Sequence, residues 1–339
     1  MDVTIVIILH NRHQNIQRLV NYYDRSEVSI ILADSSTDKH PTQNLPGHWQ
    51  HVYTPGISYT QKIEKILPQV KTKYVILCAD DDFIIPSSLP QCVNFLEAHP
   101  DYAAVQGHSL CYKKSEVVAR DIISFYPLYY DVNYSYEQAD PLVRLDAILA
   151  NYKSFLYAVH RTERLAYAYN GASKHIHNLY LNEYTASLLP LVSGKYKELD
   201  LLYQVREYAA DSDDKTATNI NKIVKEDQYK NDLDAFIFFL VKKINGQLSF
   251  GADEIQTSRI LTGLKRLANS IDANASQKPT LKKKLGSIIA YIPFFGSKLI
   301  AKSRKSELAK QLARFITTDE DRAALSKIRS ILADHSERN

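Results

Sequence analysis

The sequence predicts an α/β protein, with a mainly parallel sheet covered by helices on both faces and a helical C-terminal region after it. Three observations predict this. The apolar runs Val3–Leu9, 28–33 and Tyr74–Ala79 are β-branched and continuous rather than alternating, as strands buried on both faces are. Between these runs the apolar residues recur at helical spacing. Beyond about residue 220 only the helical spacing remains. Strands that alternate with helices imply parallel pairing, because a parallel neighbour is reached through a crossover.

After the first strand, Ile16, Leu19, Val20 and Tyr23 fall on one helical face. The run 28–33 is a second strand. Ile57, Ile63, Ile66 and Leu67 form the apolar side of a helix that leads into the third strand, Tyr74–Ala79. Another helix follows over 86–99, then a fourth strand over 102–106. Residues 111–140 are rich in Tyr and polar residues and predict a small antiparallel excursion. Helical spacing returns over about 139–150 and 176–192. The acidic run 211–214 (DSDD) and the polar stretch to 222 predict a linker, which divides the chain into units 1–211 and 212–339. In the second unit, Thr318 and Asp321 have the form of a capping box and predict the start of a last helix.

Composition narrows the function. The chain has 339 residues, 45% hydrophobic and 24% charged, which excludes disorder and fibrous architectures and allows about two domains. A net charge of +4 gives no argument for nucleic acid, whose partners carry a strongly basic face. Ten glycines leave little material for glycine-rich phosphate loops, and no GxGxxG follows the first strand. Cys78, Cys92 and Cys111 are odd in number and lack CxxC spacing, so neither a disulfide framework nor a zinc site is expected. No basic leader precedes the first strand, and no run of about 18 apolar residues occurs. The expected location is the cytoplasm, with peripheral contact to the inner membrane face.

In an α/β sheet, ligands bind beyond the carboxyl ends of the strands. Three such ends carry polar residues: His10-Asn11-Arg12, then Asp34 with Ser35 to Asp38, then Asp80-Asp81-Asp82. Parallel strands bring all three to one edge. Adjacent carboxylates repel one another unless a cation is present, and hard Mg²⁺ or Mn²⁺ favours carboxylate and diphosphate oxygens together. The competing reading is an acidic loop that caps the helix beginning near Pro86.

These segments resemble family-2-type glycosyltransferases of the GT-A fold, in particular a little-characterised bacterial branch. VTIVIILHNR is similar to that family's opening strand and P-x-Y-N-R segment. LADSSTD is similar to its VDDGSTD segment, and YVILCADDDFIIPSSL to its strand, DxD motif and following helix start. HPDYAAVQG resembles the next strand. YLNEYTASLLPLVSGKYKELDLLYQVRE resembles the stretch with the E-D motif and the closing arginine. The resemblance covers about residues 1–208 and implies a GT-A catalytic domain over 1–211. It further implies that Asp34 binds the base of a nucleoside diphosphate donor, with His10, Asn11, Arg12, Lys62, Asp80 and Asp81 also at the nucleotide. Asp80 and Asp82 would hold the metal, and Glu183 would be the catalytic base of an inverting transfer. The departures are Ala33, Ser35 and Asn182, Gln61-Lys62 in place of an Arg-Asn pair, and Tyr208 where a metal-ligating His is common. His175 and His177 are candidate replacements for that ligand, with a plain loop or helix face as the alternative. Lys62 reads either as a phosphate contact or as a surface lysine.

The tyrosines of 125–136, including Tyr129, Tyr130 and Tyr134, suit acceptor binding by stacking, or simply a Tyr-rich strand pair. Segment 281–305 carries seven Lys/Arg and no acid around an apolar centre broken by Pro293 and Gly296. It reads as an anchor on anionic lipid or as a packed helical hairpin. The function expected is a metal-dependent glycosyltransferase that uses a nucleotide sugar, with UDP favoured, and a glycan or lipid-linked acceptor in surface polysaccharide synthesis. The alternative is a non-catalytic nucleotide-sugar binder or scaffold. A sugar-phosphate nucleotidyltransferase is disfavoured because residues 8–20 lack Gly.

Overall fold

The computed structural model describes residues 1–41, 43, 45–115, 122–128, 134–207, 219–248, 253–276, 310 and 312–336. The 212 boundary and segment 281–305 lie outside the described residues.

The strands are β1 (Val3–Leu9), β2 (Ser29–Asp34), β3 (Gln50–Tyr53), β4 (Tyr74–Ala79), β5 (Phe83–Ile84), β6 (Tyr102–Ser115), β7 (Ile122–Pro127), β8 (Val159–Arg161) and β9 (Lys195–Glu207). They form one sheet in the order β3-β2-β1-β4-β8-β6-β9-β5, with β7 paired on β6. The first four are parallel, as the alternating pattern requires. Beyond them the sheet is mixed: β8 lies antiparallel to both β4 and β6, while β6 and β9 are parallel. Hydropathy reports burial rather than strand direction, so this half could not be read from the pattern. The antiparallel excursion is the β6–β7 pairing.

The continuous apolar runs have a direct cause. Alternate residues of β1 point to opposite faces, and both faces are covered. Val6, Ile31, Val75 and Leu77 belong to one core, with α2 (Tyr59–Ile66), α4 (Pro141–Ala150), α5 (Thr162–Tyr169) and α6 (Leu179–Ser193). Ile5, Ile7, Leu32, Ile76 and Cys78 belong to the other, with α1 (Ile16–Tyr23) and α3 (Leu89–Ala98).

The helices after residue 219 divide between the two faces. Phe236, Leu240 and Leu264, from Lys230–Leu248 and Asp253–Ser276, join the first core. Ile328 and Leu332, from Asp319–Ser336, join the second, and each is fully buried. Burial of such a side chain contributes about 1.5–3 kcal/mol, so the last helix is held firmly against the α1 side. Lys327 adds a bond to the Tyr22 carbonyl at 2.7 Å. The expected capping box forms: Asp321 N donates to Thr318 Oγ1 at 3.0 Å, and Thr318 N to Asp321 Oδ2 at 2.9 Å. No helix of the described residues is long and apolar enough to cross a membrane.

Candidate active site at the strand ends

The parallel register of β2, β1 and β4 sets the site. Leu9 pairs with Asp34, and Ile8 with Ala79, so the residues that follow all emerge at one edge. Asn11 takes a left-handed conformation (φ 53°), which turns the chain sharply after β1. That turn is tied to the β2 end: Asn11 N donates to Ser36 Oγ at 2.8 Å, Thr37 N to Asn11 Oδ1 at 2.9 Å, and His10 Nδ1 lies 3.1 Å from Ser35 Oγ. Arg12 is thereby aimed across the β4 end. Its Nη1 donates to Asp81 Oδ2 at 2.7 Å and its Nε to Asp80 Oδ2 at 3.2 Å, while Nη2 bonds Asp80 Oδ1.

Asp82 has its own partners, brought by the β5–β9 pairing of Phe83 with Val205. Glu207 N donates to Asp82 Oδ1 at 2.9 Å, and Arg206 Nε to Oδ2 at 3.3 Å. Behind them Arg18, 4% exposed, pairs with Glu207 at 3.0 Å, and Tyr112 OH donates to the same carboxylate at 2.7 Å. The acidic triplet does not cap the turn that opens at Pro86: that turn has no side-chain cap. Its carboxylates face arginines instead.

Burial sets the protonation balance. Asp80 is fully buried, and its carboxyl is pushed up to about 7 by desolvation and by Asp81, against the pull of Arg12. Asp82 is raised by the same causes, desolvation first and then Asp81. Burial opposes the charge on Arg12, yet Asp80 and Asp81 outweigh it and hold the guanidinium above its ordinary value. Burial thus outweighs the pull of Arg12 on Asp80 and of Arg206 on Asp82.

Asp34 is also fully buried. Its Oδ1 accepts from Ser36 N at 2.9 Å, and His51 Nε2 lies 3.1 Å and His13 Nε2 3.5 Å from Oδ2. Burial alone would raise this carboxyl, but the bonds from Ser36 and His51 outweigh it and keep it below its usual value. His40 packs edge-on to His13 at 5.2 Å. Lys62 is not a surface lysine: it is 2% exposed and donates to the Leu9 carbonyl at 2.6 Å, within range of Asp34 and Asp80. Its neighbour Gln61 completes a capping box with Ser58, which accounts for a glutamine there.

Glu183 is half-buried on α6. Tyr152 OH donates to its Oε1 at 3.2 Å, and Tyr152 stacks on Tyr184 at 4.3 Å. Tyr59 is raised by burial and then by Glu183; Tyr157 is raised by burial and then by Asp82 and, more weakly, by Tyr59. Tyr59 is thus in electrostatic range of Glu183, and Tyr157 of Asp82 and of Tyr59. Tyr134 sits under the ammonium of Lys153, 4.9 Å from the ring centre, and its N–H bonds buried Glu198. Tyr129 and Tyr130 lie outside the described residues, as does Tyr208.

Among the described residues, no group of three His, Cys, Asp or Glu is placed to hold a metal. His175 does not supply a third ligand; its ring packs on Phe238 and Phe239 at 5.6 and 5.7 Å. His177 is exposed on the loop before α6. The donor set that remains, two desolvated carboxylates with Arg12 as stand-in cation on Asp80 and Arg206 on Asp82, fits a hard divalent ion shared with a diphosphate. Chain order gives no role to Arg18, Glu207, His13, His40 or His51, and marks Arg206 only as a closing arginine. A signal existed for two groups: Arg18 lies on the apolar face of α1, and five histidines fall within the first 51 residues.

No protein-family model and no curated protein matches the chain. Its shape is similar to crystal structures of S. aureus TarS. The TarS 1–349 structure with UDP-GlcNAc is 12% identical, with 99% of this chain and 91% of that one covered at a TM-score of 0.47. TarS 1–349 without a named ligand is 13% identical, with 81% and 92% covered at 0.41. The structure with UDP is 14% identical, with 100% and 92% covered at 0.39. What this chain does rests on its strand-end residues.

Proposed function

We propose that the chain is a GT-A glycosyltransferase that moves a sugar from a nucleoside diphosphate donor, with UDP favoured, to a glycan or lipid-linked acceptor. One observation carries this reading: Asp34, Arg12 and the Asp80–Asp82 carboxylates converge at the carboxyl edge of three adjacent parallel strands. Asp34 takes the base, and His10, Asn11 and Lys62 shape the turn on which the diphosphate rests. Asp80 and Asp82 are the residues that would hold Mn²⁺ or Mg²⁺, which would offset negative charge on the leaving diphosphate.

The rest of the chemistry belongs to the chain. Glu183 takes the proton from an acceptor hydroxyl as that oxygen forms its bond to the anomeric carbon. The bond from that carbon to the diphosphate breaks, and its electron pair leaves with the diphosphate. Attack from the face opposite the leaving group inverts the anomeric carbon. The aromatic surround of Glu183, with Tyr59, Tyr152 and Tyr184, suits an acceptor sugar. We further assign surface polysaccharide synthesis as the setting, with segment 281–305 resting on the inner face of an anionic membrane.

The test is a thermal-shift screen of nucleoside diphosphates and nucleotide sugars with and without Mn²⁺. The reading expects stabilisation by a uridine nucleotide that depends on Mn²⁺. A shift of equal size in EDTA would favour the non-catalytic binder, and no shift with any nucleotide would remove donor binding.

A further inference from the structure

The arrangement of Arg12 carries more than a static contact. All three guanidinium nitrogens are spent on two carboxylates, Nε and Nη2 on Asp80 and Nη1 on Asp81. On Asp80 they occupy the oxygens that a divalent ion would need, while those of Asp82 are held by Arg206 and Glu207 N. Yet Arg12 is the looser partner: its side chain is 40% exposed, against 0% for Asp80 and 14% for Asp81. It follows the left-handed turn at Asn11, clear of both cores. A planar guanidinium fork matches a phosphate as well as it matches a carboxylate. The other cations around the triplet are less free. Arg18 is 4% exposed and pairs with Glu207, Lys62 is bonded to Leu9 O, and Arg206 is 27% exposed on β9 beside Asp82.

We propose that Arg12 is a built-in counter-cation that exchanges partners on donor binding. Without donor it clasps Asp80 and Asp81 and holds them in place. When a nucleoside diphosphate arrives with a divalent ion, Arg12 leaves the carboxylates and pairs with the diphosphate. The chain by itself therefore binds a divalent ion weakly, and ion and nucleotide promote each other's binding. This rests on the glycosyltransferase reading of the site.

The experiment counts free Mn²⁺ by electron paramagnetic resonance with the full chain, with and without UDP, for the wild type, Arg12→Gln and Arg12→Lys. Circular dichroism melts confirm that each chain is folded. The wild type binds Mn²⁺ at least about tenfold more tightly with UDP than without, the scale of one charge-assisted hydrogen bond. Arg12→Gln binds Mn²⁺ alone about tenfold more tightly than the wild type, and UDP in the presence of Mn²⁺ about tenfold more weakly. Arg12→Lys falls between, since a single ammonium cannot bridge both carboxylates. These opposite signs are not what a merely structural arginine gives. If Arg12→Gln leaves Mn²⁺ affinity unchanged or weaker while the wild type binds UDP with Mn²⁺, the exchange is overturned and the donor reading stands. If the wild type binds no nucleoside diphosphate under any condition, the donor reading falls and the exchange falls with it.

Discussion

Replacement of Lys62 by Met probes the charge balance beneath the cleft. The ammonium is 2% exposed, bonds the Leu9 carbonyl at 2.6 Å, and is lowered to about 8 by burial against the pull of Asp34 and Asp80. In the native chain Lys62 gives up its proton near pH 8, and in the unfolded chain near 10.5. Between those values the unfolded state binds more protons, so this group makes stability rise with pH. Between pH 7 and pH 9.5 the rise is about 2 kcal/mol. At pH 7 two effects oppose each other on substitution. A desolvated charge is removed, which stabilises, and a charge-assisted bond to Leu9 O is lost, which costs about 1.5–3 kcal/mol. Lys62→Met should therefore change stability at pH 7 by less than about 1.5 kcal/mol, while the rise of about 2 kcal/mol toward pH 9.5 disappears. The assay is urea unfolding of both chains at the two pH values. Buried tyrosines and cysteines titrate in both chains, so the difference between the chains reports Lys62 together with its electrostatic coupling to Asp80. Parallel pH dependence in the two chains would refute the reasoning.

Two further outcomes are expected. Glu183→Gln keeps donor affinity within about twofold and lowers transfer by about 10²–10⁴-fold, the range of a positioned base; near-normal turnover in a single-turnover assay removes Glu183 from that role. Substitution of Lys282, Lys283 and Lys284 by Gln lowers flotation with anionic liposomes at low salt, since each cation near such a surface contributes about 1 kcal/mol; equal flotation of both chains sets the lipid contact aside. Truncation before this segment is the wrong comparison, because Ile328 and Leu332 of the last helix are buried against the sheet.

The legible parts of the site were those fixed by local chain order. Asp34 and Asp80 each follow a strand whose apolar run is unmistakable, and parallel pairing then brings them to one edge. Arg206 and Glu207 were not legible as partners of Asp82. Their approach depends on β5 pairing antiparallel with β9 across more than a hundred intervening residues, and no local pattern encodes that register. Lys62 was ambiguous for a related reason. A lysine at helical spacing reads as solvated until the helix is docked, and here docking buries its ammonium under Leu9. The histidines around Asp34 come from three separate segments and meet only in the folded chain.

The sequence by itself determined the α/β class, the parallel first half of the sheet, the capping box at Thr318, and the acidic strand ends. Each follows from short-range physics: the period of burial along an element, the geometry of one helix turn, and the residue that comes after a buried run. The tertiary structure alone decided the direction of β8, the division of the C-terminal helices between the two faces of the sheet, and the pairing of each carboxylate with its arginine. Those depend on contacts between residues far apart in the chain, where the free energy of a pair is set by burial and distance rather than by neighbours in sequence.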